Sequence, residues 1–305
     1  MRKNEEQMTH NQIQGVQLWQ WYQQAKAAAR TAEIDLFEVN WLLQELSDVD
    51  PLKLRLGSLP SDSIVHLKQP WSEITQLWQQ RLQQRIPIQY LVGVTHWRYF
   101  TLKVAPGVLI PRPETELIIE IAVSATETNP QLRLGHWVDL GTGSGAIALG
   151  LAEVFPQAEI HAVDESLEAV AIAQTNAKQL QLEGKINFYH GSWWQPLTAL
   201  QGKCSGMVSN PPYIPSPMIT TLQPEVALHE PHLALDGGED GLDAIRHLVE
   251  TAPLYLKSGG IWLIEMMAGQ GQQVVELLHQ QGSYTQIQVM SDLAGLDRFV
   301  LAYKR

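Results

Sequence analysis

The spacing of apolar and polar positions divides the chain into two parts that read differently. In the first, Val16 to Arg30 (VQLWQWYQQAKAAAR) is rich in helix formers, and a second apolar-periodic stretch runs from Leu36 to Leu46. A short helical piece is predicted after Asp50-Pro51, and a further helix over Trp71 to Arg85. Two β-type runs, Tyr99–Val104 and Val108–Ile110, flank Pro106-Gly107 and predict a hairpin. From His136 onward, strand and helix patterns alternate. Strands are predicted at His136–Leu140, Glu159–Val163, Ile186–Tyr189, Gly206–Ser209 and Ile261–Glu265. The intervening helices are Ala146–Val154, Leu167–Gln181 and Gly241–Leu256, with Gly271–Gln281 following. Ile287–Val289 and Arg298–Tyr303 read as a closing strand pair. Such alternation predicts an α/β fold with a parallel sheet wound on both faces.

Composition sharpens this division. A chain of 305 residues, 45% apolar, suits one large or two modest domains with a real core. The net charge is -11, from 32 acidic and 21 basic side chains, and residues 94–305 carry about ten of those eleven negative charges. A protein that grips nucleic acid through its phosphates needs a basic face instead. Six of the ten tryptophans lie at or before Trp97, where they are expected to fill the core of a small helical bundle. Cys204 is the only cysteine, which leaves no internal disulfide and no Cys-based zinc site, and no metal is expected. No run has the length of a membrane span, and MRKNEEQMTHNQIQG lacks the apolar core of a secretory signal, so the expected location is the cytoplasm.

The segment VDLGTGSGAIALGLA is a strand, a glycine loop and a helix in sequence. Gly141, Gly143 and Gly145 permit tight turning and close approach of a ligand to the backbone, with Thr142 and Ser144 between them. The spacing G-x-G-x-G differs from the G-x-G-x-x-G that seats a dinucleotide pyrophosphate. Asp139 just before the loop repels phosphate and attracts a cation. Asp164, at the end of the next strand, stands where an acid holds a ribose diol. A nucleoside without phosphates and with a cationic tail satisfies both features. S-adenosylmethionine is such a ligand; a nicotinamide dinucleotide is the alternative.

After the strand at Gly206–Ser209 comes Asn210-Pro211-Pro212-Tyr213. Open α/β sheets place their ligands where strands end in this way. The two prolines fix φ and remove N–H donors, so the segment offers carbonyl oxygens; Asn210 adds a side-chain acceptor and Tyr213 an aromatic face. This is a rigid acceptor pocket for a planar NH₂ group.

The glycine loop paired with Asn-Pro-Pro-Tyr resembles amino-methyltransferases that act on planar nitrogens. VLIPRPETE (Val108–Glu116), EPHLALDGGEDGL (Glu230–Leu242) and DLAGLDRFV (Asp292–Val300) are similar to the family that methylates the glutamine amide of peptide chain release factors. The resemblance covers about residues 87–305, and the helical first part matches that family in architecture. It implies a Rossmann-like S-adenosylmethionine-dependent methyltransferase domain at 112–305. A helical substrate-docking domain at 1–93 and a β-hairpin linker at 94–111 precede it. It also implies methyl transfer to the glutamine of a Gly-Gly-Gln motif in release factors, by a monomer that binds neither nucleic acid nor membrane. The cofactor residues fall on Gly141, Thr142, Gly143, Ser144, Gly145, Asp164, Trp193 and Asn210; the substrate glutamine falls on Asn210, Pro211, Pro212 and Tyr213. The resemblance implies that catalysis is carried by Asn210, Pro211 and Tyr213. Ser192 departs from the family's pattern, which commonly has an acid there.

In the expected mechanism, Asn210 Oδ1 and the Pro211 carbonyl accept the two amide N–H bonds, and Tyr213 packs on the amide. Arg112 and Glu114 either order a lid or form a structural ion pair; Glu230 and Gly237-Gly238 support the pocket wall. Three other readings are an adenine-N6 nucleic-acid methyltransferase that grips a flipped base, a dinucleotide-dependent dehydrogenase, and a binding module built on the Trp-rich helices.

Overall fold

The computed structural model describes residues 11–305, so most of the stretch read for a secretory signal lies outside the described residues. The chain forms two compact units, the first ending at Gly93 and the second spanning Val94–Arg305.

The first unit contains β1 (Gln12–Gln14), α1 (Gly15–Thr31), α2 (Phe37–Leu46), α3 (Pro51–Leu56), β2 (Ile64–His66), α4 (Trp71–Gln84) and α5 (Ile88–Val92). The strands β1 and β2 form a small antiparallel pair that the sequence pattern does not announce. The short helix α3 shows why local signals are legible. Asp50 caps it by accepting from the Leu52 and Lys53 amides, Pro51 opens it, and Gly57 closes it at φ +64°. Leu18, Leu42, Leu43, Leu54, Ile74 and Trp78 are fully buried and make the core. Trp41 and Trp78 are buried there, while Trp21 meets Trp71 edge to face at 5.0 Å. Arg81 enters the same core and donates to both carboxylate oxygens of Glu38, an ion pair whose fork geometry satisfies the buried charge.

The second unit opens with β3 (Val94–Trp97) and β4 (Phe100–Lys103). This hairpin is not the expected one: the chain turns at Arg98-Tyr99, and Pro106-Gly107 lies beyond it. The reason is tertiary. Trp97 and Phe100, opposite each other in register, both enter the core, and Glu116 Oε1 accepts the amide of Arg98, which holds φ +53°. Val108 and Ile110 are buried, but the segment is not part of a strand and leads to Pro111 and Pro113.

Next come α6 (Leu117–Ala125), β5 (His136–Leu140), α7 (Ala146–Val154), β6 (Glu159–Asp164), α8 (Leu167–Gln179) and β7 (Ile186–His190). The chain continues with β8 (Cys204–Ser209), α9 (Pro224–His229), α10 (Asp243–Thr251), β9 (Leu256–Glu265), α11 (Gly271–Gln281), β10 (Tyr284–Ser291) and β11 (Asp297–Lys304). Seven strands form one sheet in the order β10-β11-β9-β8-β5-β6-β7. The five strands β9-β8-β5-β6-β7 are parallel, and β11 joins β9 and β10 antiparallel. The α/β fold is as the alternation predicts. Helix α6 was not predicted; LIIEIAVSA is apolar almost throughout and shows no helical polar face. The helix expected to run to Leu256 stops at Thr251, because Pro253 follows and β9 already begins at Leu256.

Sheet order decides where the site lies. Strand β5 lies inside the sheet; the chain lays β6 and then β7 on one side of it and crosses back after β7 to lay β8 on the other, which makes this a topological switch point. The register pairs Leu140 with Val163 and with Ser209, so the segments leaving these three strands emerge side by side. A hydrogen bond from Ser209 Oγ to the Leu140 carbonyl, 2.6 Å, ties two of the ends together.

Candidate active site

The glycine loop leaves β5 and turns through three left-handed residues, Gly141 (φ +78°), Gly143 (+55°) and Gly145 (+86°). The Gly141 and Thr142 amides donate to the Val163 carbonyl at 2.9 and 3.0 Å, anchoring the loop on the neighbouring strand. The glycines differ in what they permit. A Cβ on Gly143 would enter open space over the cleft, whereas one on Gly145 would lie 3.0 Å from Ala173 Cβ on α8. Gly145 therefore serves the close packing of α7 on α8, and Gly143 leaves room for a ligand against the backbone.

Asp139 lies beneath this loop and does not line the cleft. Its Oδ2 accepts from Thr142 Oγ1 at 2.6 Å and from the Ala148 amide at 3.0 Å, so it clamps the loop to the first turn of α7. The residue is fully buried and its Oδ1 has no partner. Burial pushes its carboxyl up to about 7, and the neighbouring Asp164 charge adds to the shift against the two hydrogen bonds. Its influence on a cation is thus exerted through the loop rather than by contact. Asp164 does face the cleft. Its two oxygens accept the Gly143 and Ser166 amides at 2.8 and 2.9 Å, and burial again raises its pKa above the ordinary carboxylate value. Each oxygen keeps a lone pair for a further donor.

The cleft lies open to solvent. Gly141, Thr142, Gly143, Ser144, Asp164, Trp193, Asn210 and Pro212 all line it; Gly145, Pro211 and Tyr213 lie outside the lining. Arg112 and Thr115, from the turn before α6, form part of another wall. Trp193 takes a left-handed conformation, φ +49°, which is rare for an aromatic residue; it lines the cleft, and its ring centroid lies 6.0 Å from that of His247. Its neighbour Trp194 stacks on Tyr255 with centroids 4.2 Å apart. Arg112 pairs with the buried Glu230 at 2.6 Å, and Glu230 also accepts the Ile110 amide at 3.4 Å. The ion pair is therefore Arg112–Glu230 rather than Arg112–Glu114, and it fastens two wall segments of the cleft to each other.

Asn210 is held by residues that sequence reading did not select. Its Nδ2 donates to Thr115 Oγ1 at 3.3 Å, and Thr115 Oγ1 in turn donates to Glu265 Oε2 at 2.6 Å. Tyr213 Oη donates to the other oxygen of Glu265 at 3.1 Å. Glu265 thus organises both polar side chains of the Asn-Pro-Pro-Tyr segment. It is fully buried, and that burial pushes its carboxyl up to about 7 despite the two hydrogen bonds it accepts. Burial and the Glu265 charge drive the Tyr213 phenol far above its ordinary range, so it remains a donor. With Nδ2 committed to Thr115, Asn210 offers Oδ1 as its free acceptor. Gln270 completes the support: its Nε2 donates to the Tyr213 and Gly241 carbonyls at 3.1 and 3.2 Å. Gly241 has φ +78°, and a Cβ there would lie 2.3 Å from the Tyr213 carbonyl oxygen. The single readable trace of this scaffold was an acid closing the otherwise apolar run Ile261–Glu265.

A release factor glutamine methyltransferase from Synechocystis sp. is 50% identical over 291 residues, covering 95% of this chain and 97% of its own. The chain belongs to the release factor glutamine methyltransferase family. A second relative of that name, from Thermosynechococcus vestitus, is 48% identical over 289 residues, covering 95% of this chain and 98% of its own. Residues 120–222 match the methyltransferase small domain, a span that includes the glycine loop, Asp164 and Asn-Pro-Pro-Tyr. Among solved structures, the hMettl16 catalytic domain in complex with a 3'UTR hairpin aligns with a TM-score of 0.52 at 14% identity, covering 76% of this chain and 80% of that one. At that identity the likeness concerns the fold alone, a Rossmann-like methyltransferase domain. Membership of this family makes the protein an S-adenosylmethionine-dependent methyltransferase, and the dehydrogenase and binding-module readings fall away.

Proposed function

We propose that this family member transfers a methyl group from S-adenosylmethionine to the side-chain amide nitrogen of the glutamine in a Gly-Gly-Gln motif of peptide chain release factors. The observation that carries this reading is the fixed orientation of Asn210 at the rim of the cleft, with Nδ2 bound to Thr115 and Oδ1 left to accept.

The cleft suits the cofactor on its own chemistry. Gly141 to Ser144 offer backbone without obstruction, Asp164 offers charge-assisted acceptors to a ribose diol, and Trp193 offers an aromatic wall. A nucleoside with a cationic tail also meets the negative potential of Asp139 beneath the loop. When bound, S-adenosylmethionine supplies an electrophilic methyl group on a sulfonium.

The remaining work falls to this chain. An amide nitrogen is a poor nucleophile because its lone pair is delocalised into the carbonyl. Asn210 Oδ1 and the Pro211 carbonyl accept the two amide N–H bonds, fixing the NH₂ group and favouring lone-pair density on nitrogen; as the N–C bond to the methyl forms, the nitrogen gives up one of these protons, which passes to water at the open cleft. The Thr115–Glu265 pair keeps Asn210 from turning its own NH₂ toward the substrate, which would place donor against donor. Tyr213 packs at the edge of the amide site, its hydroxyl retained by Glu265.

Residues 1–93 dock the release factor, and the enzyme works as a cytoplasmic monomer without contacting nucleic acid. No helix among the described residues is long and apolar enough to cross a membrane, and the net charge of -11 disfavours phosphate binding. Mass spectrometry of a release factor incubated with enzyme and S-adenosylmethionine tests the assignment. One added methyl on the Gly-Gly-Gln glutamine is the expected product; an unmodified glutamine would refute it.

A further inference from the structure

At the end of the sheet opposite the cofactor cleft, three side chains converge that the methyl-transfer chemistry does not use. His136 opens β5, Glu159 opens β6 directly opposite it in register, and His161 lies two residues further along β6. His136 Nδ1 is 3.1 Å from His161 Nε2 and 3.4 Å from Glu159 Oε2, and the last two atoms are 4.0 Å apart. Among the described residues this is the one group of three His, Cys, Asp or Glu side chains whose ligand atoms gather so closely.

We propose that His136 Nδ1, His161 Nε2 and Glu159 Oε2 form a three-ligand site for a divalent borderline transition metal, zinc above all.

The distances support this. The circle through the three atoms has a radius of about 2.1 Å, which is the length of a Zn–N or Zn–O bond. An ion slightly out of that plane takes all three ligands and leaves a fourth, tetrahedral position for water. Glu159 is exposed and His136 half-buried, so that position opens to solvent, whereas His161 is 4% exposed and fixed by its surroundings. His161 Nδ1 lies 3.1 Å from Tyr189 Oη on β7. The tautomer that donates Nδ1–H to the tyrosine leaves the lone pair on Nε2, facing His136 and Glu159, an outer-shell arrangement typical of metal-bound histidine. Two imidazoles and one carboxylate are a borderline donor set, suited to zinc rather than to calcium or magnesium, which take all-oxygen sites. Such an ion would bind the first residues of the adjacent strands β5 and β6 together, stabilising the sheet without touching the cleft.

The test uses the full-length enzyme after removal of metal by chelation, titrated with zinc chloride alone. One ion per chain, with micromolar or tighter affinity and a raised Tm, is expected. Cobalt substitution should produce the intense visible bands of a four-coordinate site. His136→Ala and Glu159→Gln, both at accessible positions, should each weaken zinc binding at least tenfold and abolish the Tm rise, while methyl transfer stays at the parent rate. Failure of the parent enzyme to bind one zinc, or undiminished zinc affinity in both variants, would overturn the proposal. Neither outcome bears on the methyl-transfer assignment, which is read by its own assay.

Discussion

Thr115 Oγ1 donates to Glu265 Oε2 at 2.6 Å, across 150 residues of sequence. The bond joins the turn before α6 to the last residue of β9, and it sets the orientation of Asn210, which donates to the same hydroxyl. The Asn210 amide, proposed to present oxygen rather than nitrogen to the substrate, is thereby oriented by a buried pair.

Replacing Thr115 should expose that dependence. Thr115→Val keeps the shape but leaves Glu265 Oε2 and Asn210 Nδ2 each without its Thr115 partner, and kcat should fall about tenfold, equivalent to about 1.4 kcal/mol. Thr115→Ser should restore most of it. Steady-state kinetics with a release factor will decide; a normal kcat for the valine variant would show that Asn210 is oriented by other groups.

Loss of the amide itself should be more severe. Asn210→Ala is expected to slow single-turnover methyl transfer by at least ~10²-fold while the fold persists. Asn210→Asp retains an acceptor but adds negative charge close to the sulfonium, which stabilises the ground state more than a transition state whose positive charge is dispersing. Aspartate should therefore lower kcat more than it raises the KM for the cofactor.

For Asp164, which lines the cleft and holds the Gly143 amide, alanine should weaken S-adenosylmethionine binding by roughly 1.5–3 kcal/mol. Calorimetry on the folded variant is the measurement, and unchanged affinity would remove Asp164 from the cofactor site.

Asp139 makes a prediction about pH. Its carboxyl is raised from 3.8 to about 7 in the folded protein, so the native state binds the proton more tightly than the unfolded chain does. The stabilisation this gives is complete below about pH 4 and is lost as pH rises through about 7. Asp139→Asn carries no such dependence. The difference in unfolding free energy between the two proteins, measured by denaturant titration without cofactor, should therefore shift in favour of asparagine from pH 5 to pH 8. A constant difference would mean that Asp139 stays ionised throughout.

If residues 1–93 dock the partner, a chain starting at Val94 should bind S-adenosylmethionine with nearly the parent affinity. It should methylate a short Gly-Gly-Gln peptide at the parent rate and a whole release factor at least tenfold more slowly. Equal rates on the whole protein would assign docking to the second unit.

The glycine loop, Asp164 and Asn-Pro-Pro-Tyr were legible in the sequence because each depends on backbone chemistry within a few residues: left-handed glycines, prolines without N–H donors, and strand ends that the alternating pattern locates. The family resemblance rested on the glycine loop and Asn-Pro-Pro-Tyr, narrowed by the local segments Val108–Glu116, Glu230–Leu242 and Asp292–Val300. The α/β alternation was readable for a similar reason, since periodicity reports which faces of an element are buried. Where the hairpin turns was not, because Arg98 is held in its turn by Glu116, and Trp97 and Phe100 are drawn inward by a core assembled from distant elements. Thr115, Gln270 and Glu265 meet the Asn-Pro-Pro-Tyr segment only through folding. His136 meets His161 only because the sheet places β5 beside β6 in one register. Spacing along a chain carries no information about which strands become neighbours or how they slide; burial of the two sheet faces and pairing of backbone hydrogen bonds settle both, and they bring these side chains within bonding distance.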